Sequence, residues 1–119
     1  MKTREQWAFD RDAFLLNFIN YLKSTHEDSW CTDVVRTKEG GNCLFGHLFE
    51  YAGNDEEGNR LWDFFEAAIS TTYMIYPVND GKNPKYQQPT PKQRCIAYLQ
   101  AVLDGEEKTT EQLIEECYQ

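Results

Sequence analysis

No run of apolar residues in this chain approaches the roughly 20 needed to cross a bilayer. Met1-Lys2-Thr3-Arg4-Glu5-Gln6 leads into a mixed polar stretch without the apolar segment of a secretory leader. The expectation is a cytoplasmic protein with no membrane partner. Histidine is scarce: His26 and His47 are the only two. The four cysteines, Cys31, Cys43, Cys95 and Cys117, include no C-x-x-C pair, so they offer no thioredoxin-like redox motif. In a cytoplasmic chain they are expected to be reduced. Phosphate-cradling loops are missing too. Gly40-Gly41 lacks the G-x-x-x-x-G-K-[ST] frame, and Gly81-Lys82 is not followed by Ser or Thr. Positive charge is in short supply, with 12 basic residues against 20 acidic and a net charge of -8. A field of that sign repels phosphodiesters and disfavours direct binding of nucleic acid. It leaves open a basic protein surface, including one that normally holds nucleic acid.

What is present suits a single soluble domain spanning residues 1–119. Seven Phe, seven Tyr and three Trp supply enough large apolar surface for a core without disulfide or metal staples. The periodicity is helical nearly throughout and predicts an all-α bundle of five helices. Phe14, Leu15, Phe18, Ile19 and Leu22 form one face of a helix over Asp10 to Lys23. Thr3 and Gln6 offer a capping box for an earlier start, with Trp7 extending the same stripe. From Ser24 to Gly41 the period is lost, and Val34-Val35-Arg36-Thr37 reads as a short strand with no evident partner.

Asn42 is a good N-cap for a second helix carrying Leu44, Phe45, Leu48, Phe49 and Ala52, closed by Gly53. Asn54 opens a third, with Leu61, Phe64, Phe65, Ala68 and Ile69 on its buried face. That run is expected to continue until Pro77 stops it by Tyr76. Val78 to Pro89 reads as a long polar loop around the Asn79-Asp80-Gly81 turn. Thr90-Pro91-Lys92-Gln93 starts a fourth helix with N-cap, N1 proline and capping box, and it buries Cys95, Ile96, Leu99, Val102 and Leu103. Thr109 and Gln112 repeat the box for a short last helix with Leu113, Ile114 and Cys117 on its apolar side.

Chemistry is most legible at Gly40-Gly41-Asn42-Cys43-Leu44-Phe45-Gly46-His47. Cys43 and His47 lie four apart and share a helix face, and a thiol in the first turn is one whose pKa the helix dipole lowers. Gly41-Asn42-Cys43-Leu44-Phe45 is similar to the nucleophile segment of ovarian-tumour-type cysteine proteases. Those proteases carry the catalytic histidine far downstream, and this chain has none after His47. The packing alternative is a small buried cysteine beside Leu44 and Leu48. His26, Cys31, Cys43 and His47 have the ligand types of a tetrahedral zinc, but their spacing departs from C-x2-4-C and H-x3-5-H modules. No metal or cofactor is expected. Arg36, Arg60 and Arg94 are isolated along the chain.

Trp30-Cys31, Cys43-Leu44-Phe45-Gly46, Tyr76-Pro77-Val78-Asn79-Asp80-Gly81 and Thr90-Pro91-Lys92-Gln93-Arg94 together form a pattern over residues 30–105. It resembles a family of small uncharacterised domains of phages and bacteria, with a W-C element, a C-hydrophobic-x-G element, an N-D element and a threonine-led helix start. The resemblance implies a compact helical fold and a phage origin, hence the host cytoplasm. The expected function is a non-catalytic interaction protein that covers a basic surface of a host protein, such as a nuclease or a defence complex. Its contact surface would be Asp55, Glu56, Glu57 and Asp63 with Glu106, Glu107, Glu111 and Glu115. The alternative is a small-ligand binder or enzyme with its site between the Cys43–His47 helix and the 78–89 loop. There Cys43 and His47 would be joined by Asn79, Asp80, Tyr86 and Arg94.

Overall fold

Spacing alone accounts for the first helix. Leu15, Phe18, Ile19 and Leu22 recur every three or four residues and are all buried. The computed structural model describes residues 4–118, with side chains from Phe9 onward. The Thr3–Gln6 capping box and the Trp7 side chain lie outside that description. The described residues form six α-helices: α1 (Arg4–Ser24), α2 (Leu44–Ala52), α3 (Asp55–Ala68), α4 (Thr72–Asn79), α5 (Pro91–Leu103) and α6 (Thr110–Cys117). A 3-10 turn at Glu27–Ser29 follows α1. There is no strand among the described residues, so the chain is an all-α domain, with six helices where the sequence suggests five.

The extra helix comes from a break in the third. The main chain turns after Ala68, where the Ile69 and Ser70 N–H groups both donate to the Phe65 carbonyl. Ser70 and Thr71 compete with the helical ladder through their hydroxyls. The Ser70 hydroxyl shares a buried 2.8 Å hydrogen bond with the Tyr98 hydroxyl, and Thr71 caps α4. Thr72 then pins Glu66 through both its N–H and its hydroxyl. Pro77 does not stop the helix but sits inside α4. The bond it forfeits is to the Tyr73 carbonyl, and Tyr73 is 85% exposed, so water can take the bond's place. The polar loop therefore begins only after Asn79.

Packing is pairwise: α2 on α3, α1 and α4 on α5, and α6 on α3. Phe45 stacks on Trp62 with centroids 4.3 Å apart and meets Phe65 and Tyr76 edge-on. A second aromatic group joins Phe14, Phe18, Tyr21, Tyr51 and Phe64. Helices α2 and α3 approach so closely that a Cβ on Gly58 would stand 2.1 Å from the Phe49 ring.

The segment read as a lone strand finds its partner inside its own loop. Asn42 pairs in parallel with Trp30 and antiparallel with Arg36. A Cβ on Gly46 would lie 2.5 Å from the Val35 carbonyl, so this glycine lets the loop rest on α2.

Helix α6 departs most from its expected role. It has both halves of the Thr109–Gln112 capping box, and Thr110 N–H donates to the Ile69 carbonyl. Yet it buries no residue: Leu113 is 38% and Ile114 52% exposed, and Cys117 and Tyr118 are exposed. An eight-residue helix is marginal alone. Its capped N-terminus and its contact with α3 hold this one in place. At α5 only the Thr90 half of the expected capping box forms, because the Gln93 side chain stays in solvent.

Candidate functional site

Asn79 organises the centre of the molecule. It is fully buried, and all four of its amide positions are used. Its Oδ1 accepts from Leu44 N–H at 3.1 Å and from the Cys95 thiol at 3.5 Å. Its Nδ2 donates to the Cys31 carbonyl at 2.9 Å and to Asp80 Oδ1 at 3.0 Å. Thus α4 caps α2 from a distance. The sequence suggests Asn42 as that cap, but Cys43 holds the N-cap position and makes no side-chain cap bond, while Asn42 is engaged in the two bridges.

Arg94 is buried beside Asn79, and its guanidinium donates to the carbonyls of Val78, Asn79 and Gln88. Both residues act as struts between main-chain segments. Tyr86 turns away from them. It packs edge-on against Tyr98, and its hydroxyl donates to Glu107 at 2.7 Å. The phenol is pushed up by burial and by the neighbouring Glu107 carboxylate.

Cys43 and His47 do not form a catalytic pair. No side-chain hydrogen bond joins them; their contact is the helical bond from His47 N–H to the Cys43 carbonyl. The expected dipole-lowered thiol is not what the fold produces. Burial raises the Cys43 thiol and the Asp80 charge adds to it, outweighing the nearby N–H groups of Gly46 and Phe45. His47 is 3% exposed, with its ring 4.2 Å from that of Trp30 and its Nε2 without a partner. Burial brings its pKa down to about 4, helped by the Lys92 ammonium and opposed by the Ser29 carbonyl. His26 caps the 3-10 turn, accepting from Asp28 N–H. Among the described residues no three His, Cys, Asp or Glu side chains converge as metal ligands.

A crevice does open near the expected alternative site, but around other side chains. It measures about 310 Å³ and is lined by Asp33, Val34, Val35, Tyr76 and Asp80. Only Asp80 belongs to the ligand set read from sequence. Asp33 adopts φ 70, a left-handed conformation uncommon for a residue with a Cβ, and its N–H donates to Asp80 Oδ1 at 3.1 Å. Nothing in the polar 31–36 stretch singles out Asp33. Only its tertiary bond to Asp80 does.

The expected acidic surface is divided by the fold. Asp55, Glu56, Asp63 and Glu106 are exposed, and Glu57, Glu107, Glu111 and Glu115 are half-buried. Arg60 partly neutralises the α3 group, reaching Glu57 at 3.2 Å and Glu56 at 3.6 Å. Glu107 is a structural carboxylate held by Lys85 and Tyr86. Burial alone would raise it, and these two donors bring it below its ordinary value. The remaining carboxylates lie on α3 and α6, which pack together, and on the turn leading into α6. No helix of the described residues is long and apolar enough to cross a membrane. Compared with protein-family models, curated proteins and solved structures, the chain matches none.

Proposed function

We propose that this is a small acidic interaction domain of the phage type that binds and inhibits a host protein by covering its basic surface with an acidic one, a nuclease or defence complex being the kind of target it suits. The observation that carries the reading is the C-terminal helix: Leu113 and Ile114 of α6 and Tyr118 just past its end are exposed, beside the half-buried Glu111 and Glu115, on a chain of net charge -8. Apolar anchors rimmed by charge suit a protein interface, and the negative field speeds encounter with a basic partner. Two polar side chains of the alternative site are engaged in holding the fold. Asn79 and Arg94 brace the main chain, and the Cys43 thiol is buried with a raised pKa.

The test begins with affinity capture from a host lysate and mass spectrometry to identify the partner. Binding is then remeasured with Asp55→Asn, Asp63→Asn, Glu106→Gln and Glu111→Gln combined. Affinity is expected to fall at least about tenfold, with a shallower salt dependence and a nearly unchanged melting temperature. Unchanged affinity refutes the reading.

A further inference from the structure

We propose that the crevice between the 31–36 loop and the end of α4 is a binding site for an alkylguanidinium or alkylammonium group. Two carboxylates, Asp33 and Asp80, stand in its wall, and neither has a cationic partner within ion-pair distance among the described residues. Some acids elsewhere do: Glu50 has Arg36, Glu56 and Glu57 have Arg60, Glu107 has Lys85, and Glu116 has Lys108. The nearby Arg94 spends its guanidinium on three carbonyls.

Asp80 Oδ1 is held from behind by the Asn79 amide and the Asp33 N–H, and Oδ2 has no hydrogen-bond donor among the described residues. Tyr76 lines the crevice as well, and its hydroxyl makes no hydrogen bond among the described residues. Val34 and Val35 supply an apolar wall for a methylene chain. The arrangement offers a cation two carboxylates beside an aromatic residue, and its alkyl tail an apolar surface. A volume of about 310 Å³ matches one such group and its chain rather than a large cofactor. Burial first, then Cys43, and after it the Asp80 carboxylate of the crevice raise both Cys31 and Tyr76. Among the described residues no third His, Cys, Asp or Glu side chain converges with the two carboxylates to hold a metal ion.

The cation can be a free small molecule or an arginine or lysine side chain of a basic protein, and the experiment separates them. Amide NMR of the full chain is followed during titration with butylguanidine, with its uncharged urea analogue butylurea, and with the peptide acetyl-Gly-Arg-Gly-amide. Shifts at residues 33–35 and 80–81 with butylguanidine but not with butylurea support the proposal and a small-molecule source. The same shifts with the peptide alone support it with a protein side chain as the source. Asp33→Asn keeps the shape, suits the left-handed backbone and is expected to weaken binding about tenfold. Asp80→Asn is expected to weaken it as much, and Asp33→Asn decides the matter if loss of the Asp80 contacts unfolds the loop. Shifts equal for charged and uncharged probes, shifts scattered over α3 and α6, or none at residues 33–35 and 80–81 overturn the proposal. It does not rest on the acidic-surface reading, because Asp33 and Asp80 are outside the four carboxylates neutralised in that test.

Discussion

Acidification should unfold this protein early, and one buried histidine sets where. His47 is 3% exposed against Trp30, and its pKa is held down to about 4 by burial and the Lys92 ammonium. An unfolded histidine titrates near 6.5. Its folded pKa is therefore depressed, so the unfolded chain takes up the proton first as pH falls. The sign follows: stability is complete above about pH 6.5 and is lost progressively down to about 4, below which this group removes nothing more. The difference of about 2.5 pKa units corresponds to about 3 kcal/mol, with a slope of at most about 1.4 kcal/mol per pH unit. For a domain with a typical stability of about 5–15 kcal/mol that is a large fraction. Urea unfolding of the native chain and His47→Gln at intervals between pH 7.5 and 4 measures it. The native chain should lose about 3 kcal/mol more than the variant across that range. Glu66 and Glu107 are both depressed below their ordinary values, so their own losses come mainly at the acid end of the window. Equal slopes for the two proteins between pH 6.5 and 4.5, or an NMR titration of His47 in the folded state with a midpoint near 6.5, would refute the reasoning.

Two further predictions concern the Asn79 centre and the thiols. Asn79→Ala leaves the Leu44 N–H and the Cys31 carbonyl without partners and should cost about 2–4 kcal/mol, read as a lower urea midpoint at unchanged slope; a loss under about 1 kcal/mol would show that Asn79 does not cap α2. Alkylation of the folded protein should proceed at Cys117 first, with Cys43 and Cys95 reacting only at the unfolding rate, because both are buried with raised thiol pKa values. Peptide mapping after a short iodoacetamide pulse checks this, and fast labelling of Cys43 would mean that it faces a pocket instead of the core.

Local rules were sufficient wherever a helix is decided by its own residues. The stripe of α1, the Asn54 cap with Gly53 before it, the Thr90-Pro91 start and the Thr109–Gln112 box are all readable as short-range sequence, since each satisfies its neighbours within three or four residues. The all-α class follows from them. What the sequence could not settle are the choices made by contacts between distant residues. Ser70 breaks the third helix where Tyr98, 28 residues on, meets its hydroxyl. Asn79 caps α2 across 35 residues, displacing the Asn42 that lies next to it. Asp33 becomes part of a crevice only because Asp80, 47 residues away, holds its N–H. Conversely, the apolar side of α6 was legible as a stripe, but a stripe says only that a face is apolar. Whether that face packs inward depends on what the rest of the chain places beside it, and here the tertiary structure leaves it open to solvent.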